Sequence, residues 1–296
     1  MIHGLSLPGR ATWWRPRVRM LLLPGAIFLV MVFTVPLLLF FLQAFHDFDN
    51  GTVLPGWTLA TWQRVLGDSF HWGFVLNSFI LGALVTGVTL LLAYPAALIM
   101  MSLRGTRWFV IIGLVVFSPL LTSIIIRSYG WLYMLSDSGV VNWVLLSSGL
   151  IDRPVRLIFN WTGTIIAMVH IEMPFMMFPI LSVLMQIPKD LSESAQDLGA
   201  NAFQGWRRVI LPLSLPGTLA GCQVVFATSI SAFASPTILG GGRVRVLPVS
   251  IYNSILGLDW PLGAVQSLLL LGLSLLLVTV FSRLMRARGL WSERPA

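Results

Sequence analysis

Six long apolar blocks, at about 20–42, 74–101, 108–135, 164–185, 219–239 and 262–284, govern what this chain can become. Each is near the roughly 20 residues that an α-helix needs to cross a hydrocarbon core about 30 Å thick. The rest of the chain could not cover such blocks in water: 56% of the 296 residues are hydrophobic and only 10% are charged, where a soluble domain carries about 25%. In hydrocarbon a backbone N–H or C=O has no water to bind, so such a segment satisfies itself as a helix. The pattern predicts an all-α polytopic membrane protein of about six transmembrane helices, with residues 1–296 forming a single domain.

The basic residues give a topology. The formal charge of +8 is scattered between apolar blocks and forms no basic domain, so nucleic acid is not an expected partner. With both termini in the cytoplasm, Arg10, Arg15, Arg17, Arg19, Arg104, Arg107, Lys189, Arg207, Arg208, Arg283, Arg286, Arg288 and Arg294 lie inside. Arg64, Arg127, Arg153, Arg156, Arg243 and Arg245 lie outside or near the outer interface, a split of 13 against 6. Such an excess on the cytoplasmic side orients membrane proteins. The first block is too long for a signal-peptide core and lacks a small-residue cleavage site after it, so it is expected to stay as the first span.

Prolines at 36, 95, 119, 174, 179 and 236 lie within or beside spans and read as bends that neighbouring helices compensate. Gly217 and Gly221 have the small-xxx-small spacing of close helix contacts. The apolar stretches 140–150 and 246–258 are too short to span and are expected as helices at the outer interface or tucked into the bundle. Cys222 is the single cysteine, and His3, His46, His71 and His170 are dispersed, which gives neither a disulfide framework nor a metal cluster. No cofactor is expected.

The inner loop 186–218 differs from an ordinary connection. Asp190 can cap a helix with Glu193 three residues on, and Leu191, Ala195, Leu198 and Ala202 then share a face. Gly199 separates this run from a second one, 202–211, which is expected to end at Pro212. The amphipathic pattern by itself fits two helices resting on headgroups as well as a protrusion that docks onto a protein.

The segment Glu193-Ser-Ala-Gln-Asp-Leu-Gly199, nine residues, then Val209-Ile-Leu211-Pro212 closely resembles the EAA loop of ATP-binding-cassette (ABC) importer permeases. Ser194 and Val209 depart from that pattern and are similar in size to the residues they replace. The resemblance implies the type I importer permease fold and a coupling helix seated on an ATPase, with Glu193, Ala195, Asp197, Leu198, Gly199, Leu211 and Pro212 forming the contact. The single lysine, Lys189, follows Pro188, so the chain has no phosphate loop of its own. The resemblance therefore also implies an ATPase dimer, a second related permease subunit and an extracytoplasmic solute-binding protein, in a bacterial inner membrane. From about residue 74 to 284 it is nearest to polyamine-type, PotB-like permeases, carried by Pro119-Leu-Leu-Thr-Ser123, Arg127-Ser-Tyr-Gly-Trp131, Ser138-Gly-Val-Val-Asn142 and Ser235-Pro-Thr-Ile-Leu-Gly-Gly241.

Glu172, well inside the fourth span, is the first candidate for the solute pathway, because an intramembrane carboxylate is costly unless paired or hydrated. The alternative is a hydrogen-bonded packing residue. Tyr129 and Trp131 could face a cation or belong to an interfacial belt. Thr228, Ser231 and Ser235 give the fifth span a hydroxyl-bearing face that lines the pathway or cements helices. An ATP-independent transporter or channel is the competing function. An embedded enzyme is disfavoured, since no paired intramembrane carboxylates, His-Glu-x-x-His run or Gly-x-Ser-x-Gly elbow is present.

Overall fold

The computed structural model describes residues 16–49, 51–188, 190–191, 194, 197 and 199–287. The helices are α1 (Pro16–Leu29), α2 (Val35–Leu42), α3 (Ala60–Gly67), α4 (Ser69–Ser102), α5 (Arg107–Phe117), α6 (Ile124–Met134), α7 (Val140–Ser147), α8 (Trp161–Leu184), α9 (Ala202–Gly205), α10 (Leu211–Ile230), α11 (Ala234–Gly240), α12 (Leu247–Leu256) and α13 (Trp260–Ala287). A short antiparallel hairpin joins β1 (Asp47–Asp49) to β2 (Thr52–Leu54). Among the described residues, five helical segments are long and apolar enough to cross a membrane: Leu23–Phe45, Ser69–Ser102, Trp161–Leu184, Ala202–Ile230 and Trp260–Arg283.

The sixth crossing departs from expectation. In place of a straight helix over 108–135, Arg107–Leu121 and Ile124–Met134 meet at a bend of 106°. The cause is local. Pro119 opens a short 3-10 turn, Ser118–Leu121, and Thr122 and Ser123 are extended. The Ser123 hydroxyl then accepts a hydrogen bond from the backbone N–H of Ile125 and starts α6 afresh.

The fifth crossing is also displaced from the expected 219–239. Helix runs from Ala202 to Ile230 and stops at Ser231, and α11 follows after a break at residues 231–233. Continuing through this point would set the ring of Pro236 against the carbonyl four residues earlier, at Ala232, so the chain breaks there and restarts with Pro236 in the first turn of α11.

Pro212 does not end the second helix of the loop, as the sequence reading expected. The chain passes from α9 through a wide π-turn, Trp206–Ile210, directly into α10, and Leu211 N–H donates to the Trp206 carbonyl. The same device precedes Pro36: the π-turn Val30–Thr34 leads into α2, and Val35 N–H donates to the Val30 carbonyl. In both cases the wider turn lies on the N-terminal side of an Xaa-Pro pair. It relieves the contact between the proline ring and the preceding turn that an unbroken α-helix would create.

α4, α8 and α10 pack together to form the centre of the bundle. Leu81 and Val85 from α4, Met176, Met177 and Ile180 from α8, and Val225 from α10 are fully buried there. Lipid is as apolar as these side chains, so tight packing rather than escape from water holds the helices together. Glycine makes it tight: a Cβ on Gly217 would lie 2.6 Å from the Pro179 carbonyl oxygen, and one on Gly221 would lie 2.9 Å from that of Met176. Backbone therefore rests on backbone. At the other end of the bundle α12 is tied to α4 and α13: Leu247 N–H donates to Ser78 Oγ at 2.7 Å, and Gln266 Nε2 donates to Ser250 Oγ at 3.0 Å. The span Leu23–Phe45 differs from the rest, with 0% of its apolar window buried within the chain.

Substituting Gly217 by Val should lower stability in detergent by about 1–3 kcal/mol through overpacking. Gly272→Ala, where a Cβ meets no atom within 4 Å, should be neutral or slightly stabilising. Thermal unfolding of the two variants side by side checks the contrast.

Candidate functional site

Glu172 sits halfway along α8 and is 6% exposed. The hydroxyl of Thr228 on α10 lies 2.8 Å from its Oε2 and 3.0 Å from the carbonyl oxygens of Val224 and Val225. One hydroxyl proton thus serves three acceptors, so the carboxylate shares its donor with the α10 backbone. The Glu172 side chain faces a cavity of about 300 Å³, lined also by Met168, Phe175, Thr228, Ser231 and Ser235.

The broken helix explains why these hydroxyls converge. α10 ends at Ile230, so Ser231 and the non-helical residues 232–233 form part of the cavity wall. α11 then brings Ser235 back into it, where its hydroxyl lies 2.9 Å from that of Ser128 on α6. On the same face of α6, Trp131 Nε1 donates to His170 Nδ1 at 3.1 Å and Ile124 reaches the cavity.

The structure therefore gathers Glu172, Ser231 and Ser235, together with Thr228, around one space. Tyr129 and Trp131 are not part of its wall. Tyr129 is 58% exposed on the outer side of α6, and Trp131 is engaged with His170. Ser128 was not picked out in the sequence, although it follows Arg127 in a motif that was.

Of the loop residues, Glu193, Ala195 and Leu198 lie outside the described residues, as does Lys189. Asp197 is helical and exposed, and Gly199 has a φ of +85° with open space around it. That left-handed backbone favours glycine and turns the chain sharply between the two helical runs. Leu211 and Pro212 form the first turn of α10. A full capping box opens α9: the Asn201 side chain accepts from Gln204 N–H at 2.8 Å, and the Gln204 side chain accepts from Asn201 N–H at 3.1 Å. The Asn-x-x-Gln spacing carried that signal in the sequence. Tyr94 of α4 meets Ser214 of α10 at 2.8 Å and braces the base of the long helix. Among the described residues no three His, Cys, Asp or Glu side chains converge on a metal position.

One helical segment, Ala202–Ile230, thus joins the loop to the cavity. The overall fold is one found in a solved importer. The chain superposes with a TM-score of 0.72 over 91% of its length on a chain of a bacterial ABC transporter that imports the acidic polysaccharide alginate, covering 95% of that chain at 20% identity. No protein-family model matches. Among sequence relatives, the spermidine/putrescine transport system permease protein PotB of Escherichia coli (strain K12) is 34% identical over 245 residues, covering 81% of this chain and 88% of that protein. PotB of Haemophilus influenzae is 35% identical over 210 residues, 71% of this chain and 73% of its own. The inner membrane ABC transporter permease protein YdcU of E. coli is 29% identical over 254 residues, 80% of each chain.

The bundle, its broken spans and these likenesses define a transport subunit, the membrane-spanning permease of an ABC importer. Within that class the chain belongs to the PotB-like permease family.

Thr228→Val should leave the Glu172 carboxyl without its hydroxyl donor and cost about 1–3 kcal/mol. Thr279→Val removes a hydroxyl bonded only within its own helix and should cost less. Denaturation of both variants in the same detergent measures the difference.

Proposed function

We propose that this ABC importer permease passes a small solute bearing ammonium groups, of the polyamine class, through the cavity beside Glu172. The observation that carries the reading is a carboxyl group held at the middle of a transmembrane helix and facing a space lined by hydroxyls. Carboxylates in hydrocarbon persist where a cation, a partner or water compensates them, and a primary ammonium supplies both charge and donors. The relatives named for spermidine and putrescine support the same class. Met168 and Phe175 give the methylene stems of such a solute an apolar wall.

In this proposal both termini are cytoplasmic, the loop 186–218 docks onto a partner ATPase dimer, and a solute-binding protein delivers the solute to the opposite face. A second, related permease subunit covers the apolar face of Leu23–Phe45, which this chain leaves bare. The left-handed turn at Gly199 allows a partner backbone to approach closely.

Two measurements test this. Glu172→Gln in the complete transporter should lower ATP-driven spermidine uptake into proteoliposomes by about tenfold, the effect of losing roughly 1.4 kcal/mol of interaction, while the subunits still co-purify. Unchanged uptake removes Glu172 from the pathway. Gly199→Asp places a side chain at a positive-φ position and should abolish co-purification of the ATPase while membrane insertion stays normal. Retention of the ATPase at wild-type levels rejects the docking role.

A further inference from the structure

Arg127 lies on the face of α6 that also carries Ile124, Ser128 and Trp131, since residues three and four apart on a helix are neighbours. Two of those three are tied to the cavity. Ile124 lines the cavity and Ser128 meets the cavity residue Ser235, while Trp131 donates to His170 on another face of α8 and pins α6 to that helix. Arg127 is therefore one turn from the cavity residue Ile124 and next to Ser128, just beyond the cavity wall itself. Its Nε and Nη1 donors are enclosed and reach no protein acceptor. The guanidinium and the Glu172 carboxyl interact electrostatically, yet they are not in contact. Among the described residues, the salt bridge that forms is Arg64–Asp47 at 2.9 Å.

An arginine stays charged at any physiological pH, and a guanidinium whose donors are partly cut off from water is stabilised by an opposite charge nearby. A half-exposed guanidinium and a buried carboxylate that are near each other but unbridged compensate one another without neutralising their hydrogen-bonding groups. A solute ammonium entering the cavity competes with Arg127 for the same carboxylate. We propose that Arg127 is a tethered counter-ion of Glu172 whose compensating charge a cationic solute replaces on binding, and which compensates the carboxylate again when the solute leaves. The inference rests on the cationic-solute reading above and adds a release step to it. Arg127 is in this sense a positioning residue, because it acts through Glu172.

The test is ATP-driven uptake of spermidine by the complete transporter in proteoliposomes, comparing wild type, Arg127→Gln, Arg127→Lys, Glu172→Gln and the Arg127→Gln/Glu172→Gln double variant. Without the competing guanidinium, Arg127→Gln should lower both the half-saturating spermidine concentration and the maximal rate, each by about tenfold. Arg127→Lys should stay near wild type, and the double variant should behave as Glu172→Gln alone, the signature of coupled residues. Equal effects of Arg127→Gln in both backgrounds overturn the pairing, and if Glu172→Gln itself still impairs uptake the cationic-solute reading stands. Wild-type uptake by Glu172→Gln overturns both. If Arg127→Gln alone fails to fold, thermal unfolding of the double variant decides: recovery of stability supports the pair, and a double variant as unstable as the single rejects it.

Discussion

The contact between α8 and α10 sets the terms for everything else in this protein. Where the backbone around Gly217 and Gly221 rests on Pro179 and Met176, the two helices are drawn close enough for a threonine on one to reach a glutamate on the other. In lipid no solvent-driven force holds helices together, so short approach distances and internal hydrogen bonds must do so. The polar contact between Thr228 and Glu172 is thus a consequence of the glycine contact further along the same pair. A methyl group on either glycine would open the interface and strand the carboxyl.

The second ingredient is interruption. A membrane helix that stops inside the bundle exposes backbone and side-chain polar groups at a depth where an intact helix would hide them, and it is tolerated where protein or a cavity surrounds it. The break at residues 231–233 serves this purpose: it ends α10 at the cavity, turns the chain, and returns Ser235 to the wall. The 106° bend before α6 aims a second short helix, with Ile124 and Ser128, at the same place. Three discontinuous pieces and one continuous helix thus build a polar chamber from a sequence that is apolar nearly throughout.

Much of this was legible in the residues. The number and rough place of the spans follow from block length, and Glu172 stands out because a carboxylate in such a block needs a reason. The proline effects were misread in position because each acts at a distance: Pro236 ends a helix several residues before itself, and Pro212 is accommodated by a π-turn on its N-terminal side without stopping the helix. A helical wheel drawn with a single period across 206–210 puts residues on the wrong face. Tyr129 and Trp131, singled out for their aromatic character, are not in the wall of this cavity. The bend decides which face of α6 looks inward: Ile124 reaches the cavity, Ser128 meets Ser235 and Trp131 meets His170, while Tyr129 is exposed. The Glu193 region of the loop rests on sequence alone.

The continuity of Ala202–Ile230 has a geometric consequence. With the midpoint of α8, where Glu172 lies, set at the bilayer midplane, Thr228 beside it is about 15 Å from either edge of the hydrocarbon. From Thr228 back to Ala202 the helical rise of 1.5 Å per residue gives a rod of about 39 Å. Even with the ordinary tilt of about 20°, some 20 Å of that rod stands beyond the hydrocarbon, farther than the headgroup layer reaches. In that setting the tip bearing Asn201 and Phe203 stands clear of phospholipid, at the far end of the same shaft that carries Thr228 to the cavity.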